Sequence, residues 1–122
     1  MMQLSKFVLQ SQAEVIAAML RQDGAMRLYE GDQPELAVRT EGRLCSCPIS
    51  SAVVSGGTLT ITWDSATAVK EGRADYYRMV TGNIPVMGGT IGEEMEMADR
   101  EIKVGTIIDS GVLVHNVFGR LA

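Results

Sequence analysis

The strongest helical pattern in the chain lies near its amino terminus. Ser11 is followed three residues later by Glu14, a spacing typical of the capping box that begins a helix. The next large apolar side chains recur at the spacing of one helical face, at Val15, Ile16, Met19 and Leu20. Gly24 then offers the left-handed backbone that often ends a helix. This pattern predicts one short helix over residues 12–22.

The chain after residue 24 has the pattern of a β-rich protein. Short segments with alternating or β-branched residues are separated by glycine-containing turns, at residues 26–30, 43–49, 58–63, 74–80, 84–91, 95–97, 106–108 and 112–118. Gly82-Asn83 predicts a hairpin between the fourth and the fifth of these segments. We therefore predict a mainly β fold, an antiparallel β-sandwich or jelly-roll-like domain with one short N-terminal helix. In this prediction residues 1–10 are an N-terminal arm and residues 11–122 form a single domain.

Composition and charge exclude several classes of protein. The chain has 122 residues, of which 46% are hydrophobic and 21% charged, so one folded domain is expected rather than a disordered chain. No apolar run reaches the roughly 18 to 20 residues that span a bilayer, and polar residues interrupt the apolar amino terminus, so we expect neither a membrane protein nor a signal peptide. The net charge is −4 and no two basic residues are adjacent. Direct binding of nucleic acid is therefore not expected.

The two cysteines, Cys45 and Cys47, are separated by one residue, so their side chains point to the same face of a strand. A disulfide between them would strain the backbone. With His115, the only histidine, they make three ligands, one fewer than a structural zinc site uses. We expect two buried, reduced thiols, as in a bacterial cytoplasm.

The residues that could carry catalysis are few. Any Ser–His–Asp or Cys–His arrangement must use His115, which shares a strand face with Leu113 and Val117. The G-x-S-x-G motif that places a nucleophilic serine on a sharp turn is missing. The five carboxylates of residues 93–101 lack the spacing of a calcium loop and indicate a solvated segment. Residues 88–92 (GGTIG) are not followed by Gly-Lys-Ser/Thr and are interpreted as a turn. We expect no catalytic residue, no cofactor and no metal.

The order of elements carries a family resemblance. Residues 26–34 (MRLYEGDQP), directly after an N-terminal helix, resemble the pattern R-[LI]-Y-x-G-x-Q-P of a group of small structural proteins of tailed bacteriophages. Residues 74–79 (ADYYRM), followed by Gly82-Asn83 and residues 89–92 (GTIG), are similar to the A-x-[YW]-[FY]-R and G-x-x-G segments of that group. Residues 110–114 (SGVLV) resemble its last turn and strand.

The resemblance implies a virion component without enzymatic activity, assembled in the cytoplasm of the bacterial host. It covers residues 11–118, although residues 34–50 are compact and the acidic residues 93–101 replace a neutral stretch. The implied role is a capsid cement or decoration protein that binds the major capsid protein and itself, as a homodimer or homotrimer. A tail or tail-tip component is the alternative within the family. A small carbohydrate-binding module and a small hydrolase are the alternatives outside it.

The predicted arm offers a candidate partner interface. Leu4, Phe7, Val8 and Leu9 precede the predicted helix and fit no clean period of their own. Their burial is worth roughly 1.5 to 3 kcal/mol for each large side chain, so we expect the arm to be ordered by packing. It packs either on a neighbouring subunit or on the core of its own domain.

Overall fold

The computed structural model describes residues 5–35, 42–92, 97 and 99–116, and the helix α1 spans Lys6–Arg21. The backbone N–H of Leu9 donates to the Ser5 carbonyl at 3.0 Å, which closes the first turn. The predicted start at residue 12 is therefore wrong by six residues, and residues 6–10 belong to the helix rather than to an arm. Residues 1–4 lie outside the described residues.

The carboxyl end of α1 also differs from the prediction. The left-handed residue is Asp23, with φ of 58°, whereas Gly24 is the first residue of a strand. Glycine is needed there for another reason, because a Cβ atom at position 24 would clash with the backbone carbonyl of Leu20. The glycine therefore allows the strand to leave close to the last helical turn.

The buried face of α1 is only partly the predicted one. Ile16 and Leu20 face the core as predicted, but Val15 and Met19 are exposed, at 59% and 39%. The remaining buried positions belong to two small residues, Ala13 and Ala17. These four positions follow the i, i+3, i+4, i+7 spacing of one face, and the alanines allow the helix to approach the sheet closely.

The described chain has ten strands, which confirms a mainly β fold with one helix. They are β1 (Gly24–Tyr29), β2 (Cys45–Ser55), β3 (Thr58–Trp63), β4 (Ala66–Thr67), β5 (Gly72–Arg73), β6 (Tyr76–Thr81), β7 (Ile84–Thr90), β8 (Glu101–Ile102), β9 (Ile107–Ile108) and β10 (Gly111–Asn116). Six form one curled antiparallel sheet in the order β10-β3-β2-β1-β6-β7. The short strands pair as β4-β9 and β5-β8.

Strand β2 links the two halves of this sheet. Its first residues pair with β1 and its later residues with β3, and the register shifts between Ile49 and Ser51. The shift changes which residues face inward, from Cys45 and Cys47 before it to Ala52 after it. The predicted end of this strand at residue 49 is wrong, because such a bulge lets a strand continue while it bends.

The predicted hairpin between β6 and β7 is confirmed, with Gly82 at φ of 60° in its turn. Residues 88–90 belong to β7, so the interpretation of residues 88–92 as a turn is wrong for them. Gly88 lies against the Tyr77 carbonyl, where a Cβ atom would come within 2.7 Å. Of the predicted segment 95–97, only Met97 is described, and it is not in a strand.

One core joins the helix and the main sheet. Helix α1 packs chiefly against β2, and its Ala17 and Leu20 belong to the same buried cluster as Met26, Cys47 and Ile61. No helix among the described residues is long and apolar enough to cross a membrane.

Candidate functional site

The predicted partner interface is not a separate arm. Leu9 is half-buried within α1, and Phe7 and Val8 also belong to this helix. Leu4 lies outside the described residues, as do the side-chain surroundings of Phe7 and Val8. Attachment through these four residues stays a prediction, now with Phe7, Val8 and Leu9 placed on a helix.

The first two motif segments of the resemblance contact each other. Strand β1 pairs with β6, and the rings of Tyr29 and Tyr76 stack with centroids 5.1 Å apart and planes inclined by 11°. The Asp75 carboxylate accepts the Gly31 N–H at 2.8 Å, and the Asp75 N–H donates to the Tyr29 carbonyl at 2.8 Å. Both tyrosine side chains are buried. These motif residues therefore hold the turn after β1 onto the sheet.

Arg78 connects the same segments from the middle of β6. Its guanidinium is 1% exposed and donates from Nη2 to the carbonyls of Pro34, at 3.3 Å, and Glu35, at 2.9 Å. A buried charge is stabilised only when it is hydrogen-bonded, so these carbonyls and Arg78 fix each other. The arginine of the second motif therefore has a structural role, since its Nη2 group donates to the chain's own backbone.

Cys45 and Cys47 point to the same buried face, as predicted, with their Sγ atoms 3.7 Å apart. Because the Cys47 thiol shares a hydrogen bond with Cys45 and both are buried, the pKa of Cys47 is raised above its ordinary value. A thiol that keeps its proton is a poor nucleophile and a poor metal ligand. Cys47 therefore acts as core packing at neutral pH, and Cys45 is fully buried beside it.

His115 lies at the exposed end of β10. It follows buried Leu113 on the same strand face, and its cross-strand neighbour on β3 is Leu59. Neither neighbour is a nucleophile or a base, so the strand pairing brings no catalytic partner to the imidazole. Val117, its third predicted neighbour, lies outside the described residues.

Most of the acidic segment 93–101 also lies outside the described residues. In the described remainder, Asp99 uses its carboxylate to accept the Glu101 N–H at 3.0 Å. Within the described residues no group of three or more His, Cys, Asp or Glu side chains is placed to hold a metal ion.

The outer face of β2, β3 and β10 is a candidate contact surface. Cross-strand registers align Val53 with Thr60 and Val114 in one row, and Ser51 with Thr62 and Val112 in the next. The three valines are 52%, 56% and 62% exposed, although they lie in regular strands. We call this surface the valine–threonine face, and it consists of Ser51, Val53, Thr60, Thr62, Val112 and Val114.

None of these six side chains is charged, which distinguishes the face from an ordinary solvated sheet surface. Exposed apolar side chains that adjoin one another are typical of interaction sites, whereas scattered ones are not. The alternation in residues 58–63 indicates the threonines from sequence. The alignment of Thr60 with Val53 and Val114 depends on the strand order, which the sequence pattern does not contain. The face as a whole was therefore not predicted from the sequence.

A groove with a volume of about 570 Å³ runs beside β10. Buried apolar side chains line it, including Met26, Trp63 and Leu113. Asp99 and Asp109 also line it. The apolar lining makes this groove a second feature that a partner could cover.

A smaller cavity of about 330 Å³ lies at the opposite end of β1. Arg27 lines it and donates to the Asn83 Oδ1 at 3.2 Å and to the Gly82 carbonyl at 3.3 Å. The carboxylate residue Asp23 lines the same cavity. A carboxylate in the same cavity as the arginine disfavours an anionic ligand there.

Comparison of the chain with protein-family models, with curated proteins and with solved structures found no match.

Proposed function

We propose that the chain is a non-enzymatic structural protein of a tailed-phage virion, a capsid cement protein that binds the major capsid protein. The observation that carries this proposal is the valine–threonine face. An uncharged surface of exposed valines on three adjacent strands suits a flat protein surface, whereas a polar small molecule would find few hydrogen-bond partners on it. The location implied is the virion, assembled in the cytoplasm of the bacterial host.

The proposal includes the finer architecture. In this proposal the curled sheet forms a sandwich of jelly-roll type, in which the bulge of β2 separates a half made of β1, β6 and β7 from a half made of β3 and β10. Inward side chains of both halves then share one core. A rigid scaffold of this kind holds the valine–threonine face in one shape, so the entropic cost of attachment is small.

Weak contacts are sufficient for a cement protein. Copies that bind neighbouring shell subunits simultaneously gain effective affinity by a factor of roughly 10² to 10⁴ without any new contact. An apolar face of a few side chains can therefore hold the protein on a shell while free copies stay separate from free shell subunits.

The aromatic residues weigh against a carbohydrate-binding module. Sugar rings stack on exposed aromatic side chains, but the four aromatic residues whose side chains are described are buried: Tyr29, Trp63, Tyr76 and Tyr77. The surroundings of His115 likewise weigh against a small hydrolase, because its strand neighbours are leucines.

The test uses phage particles that lack the chain. Purified protein is added to them, and bound copies are counted after gradient centrifugation and located by electron microscopy. We expect the parent to bind the shell in many copies and Ser51→Lys/Val53→Lys to lose at least about tenfold in affinity, since two charges would be buried against the shell. The matched control is Val15→Lys, on the exposed side of α1, which should bind like the parent.

Two results would contradict the proposal. If the parent does not bind particles at all, the chain is not a virion protein of this kind. If it binds only tails, the tail alternative replaces the cement role. Equal loss in Val15→Lys and in Ser51→Lys/Val53→Lys would show that binding does not depend on the valine–threonine face.

A further inference from the structure

The groove beside β10 has an apolar floor to which five strands contribute. The floor consists of buried side chains: Met26 and Leu28 of β1, Trp63 of β3, Ile102 of β8, Ile108 of β9 and Leu113 of β10. The volume of about 570 Å³ lies within the range of roughly 300 to 1,000 Å³ that is typical of ligand sites. The groove is therefore large enough to take up several side chains of a ligand.

The charged residues at the rim of this groove are acidic. They are Asp99, Glu101 and Asp109, and no lysine or arginine is among the described residues that line the groove. All three are exposed, and the Asp99 carboxylate is held at the start of β8 because it accepts the Glu101 N–H at 3.0 Å. Charges of one sign beside an apolar wall raise the local concentration of the opposite charge. The rim therefore favours a cation.

The arginines next to this rim are directed elsewhere. Arg73 is the cross-strand neighbour of Glu101, but its Nε lies 3.4 Å from the Asp75 carboxylate. The Arg100 guanidinium lies beside Gly92. Among the described residues, no lysine or arginine forms an ion pair with a rim carboxylate. A cation from a partner would therefore not have to displace one of them.

The openness of the groove favours a chain segment over a small molecule. Ile107, Val112 and Val114 also line it, and they are 67%, 56% and 62% exposed. A site for a small molecule usually encloses most of the ligand surface. An open apolar groove suits a segment of a partner protein, whose apolar side chains enter the groove while its other side stays in water.

We propose that this groove binds a segment of a partner protein in which aliphatic side chains are flanked by lysine or arginine. The aliphatic side chains leave water for the floor, which drives binding. The basic side chains face the rim carboxylates, which selects this segment over an acidic one. This inference goes beyond the proposed function, since it assigns the chemistry of a bound segment and does not depend on a phage particle.

The test uses three synthetic peptides with the same aliphatic centre. They are acetyl-RLVLR-amide, acetyl-QLVLQ-amide and acetyl-ELVLE-amide, and binding is followed by the fluorescence of Trp63, the only tryptophan of the chain and part of the groove floor. We expect the arginine peptide to bind with a dissociation constant below about 1 mM. Each exposed ion pair is worth up to about fivefold in affinity, so the glutamine peptide should bind about fivefold more weakly and the glutamate peptide more weakly still.

The variant Glu101→Gln/Asp109→Asn removes two rim charges at exposed positions. It should bind the arginine peptide about as weakly as the parent binds the glutamine peptide. The matched control is Glu14→Gln/Asp32→Asn, which removes the same charge at exposed positions that do not line the groove, and its affinity should stay within about twofold of the parent's. Circular dichroism checks that each variant remains folded.

Three results would overturn the proposal. The first is a parent that shows no saturable binding of the arginine peptide, and the second is equal affinity for all three peptides. The third is binding that occurs only in Phe118→Ser/Leu121→Ser, which would assign the groove to residues 117–122 of the chain itself. Those residues lie outside the described residues.

The inference and the proposed function fail separately. Ser51 and Val53 do not line the groove. Under the proposed function Ser51→Lys/Val53→Lys loses particle binding, whereas its affinity for the arginine peptide should stay within about threefold of the parent's. Loss of peptide binding in this variant would overturn the assignment of the peptide to the groove.

Discussion

Arg78 offers the sharpest test of how the two motif segments are held together. The change is Arg78→Met, which keeps a long side chain but removes the charge and every donor. In the folded protein the Arg78 guanidinium donates to the Pro34 and Glu35 carbonyls at 3.3 and 2.9 Å and is almost completely buried. Both carbonyls lose this donor in the variant.

The magnitude follows from these two hydrogen bonds. Each hydrogen bond to a charged group contributes about 1.5 to 3 kcal/mol to the stability of the fold. Part of the loss is offset, because the variant no longer has to bury a charge. We expect Arg78→Met to lower the free energy of unfolding by about 3 kcal/mol. With a urea dependence of about 2 kcal/mol per M, the unfolding midpoint should fall by about 1.5 M.

Two further measurements separate a local effect from a global one. Arg78→Lys keeps the charge but replaces the planar fork with a single ammonium, so we expect about half the loss of Arg78→Met. Limited proteolysis should cut residues 30–35 faster in Arg78→Met than in the parent, since the turn loses its anchor. A midpoint within about 0.3 M of the parent's and unchanged proteolysis would refute the structural role of Arg78.

Two other predictions concern the core. Gly111→Ala would place a Cβ atom 2.6 Å from Cζ2 of Trp63, so the indole must shift. We expect the free energy of unfolding to fall by about 1 to 3 kcal/mol and the near-ultraviolet circular dichroism spectrum to change. The control is Ser110→Ala at an exposed position, which should change neither. Cys45 and Cys47 should resist alkylation at neutral pH in the folded protein, because both are buried and the pKa of Cys47 is raised. After unfolding without a reductant, both thiols should react. Rapid labelling of the folded protein would contradict their burial, and fewer than two reactive thiols after unfolding would contradict the reduced state.

The limits of prediction from sequence are physical ones. The pattern from Ser11 to Glu14 fits a helix start, but the same residues are compatible with a helix interior, and the chain closes its first turn at the Ser5 carbonyl. Alanine contributes little to a hydrophobic pattern, so Ala13 and Ala17 gave no signal that they, rather than Val15, face the sheet.

The strands show the same limit. The β-branched and aromatic residues of 58–63 indicated β3, which faces the core with one set of side chains, and Gly82-Asn83 indicated the β6–β7 hairpin. Alternation missed the second half of β2, since the bulge after Ile49 reverses the alternation within one strand. The valine–threonine face depends on that bulge, because only the shifted register turns Val53 outward beside Thr60. A site built from three strands in register needs the topology as well as the sequence.

The segments that carry the family resemblance differ in what they can do. In the first two, the Asp75 carboxylate accepts a backbone N–H and pairs with Arg73 at 3.4 Å, Arg78 donates from Nη2 to backbone carbonyls, and the tyrosines Tyr29 and Tyr76 are buried. Such residues specify the fold, and their replacement should change stability before it changes binding. The last segment, residues 110–114, is different because it alternates buried Leu113 with valines more than half exposed, on the strand that ends the described sheet order. Under the proposed function, contacts with a shell subunit can therefore use this last segment directly, whereas the first two can affect such contacts only through the shape of the sheet.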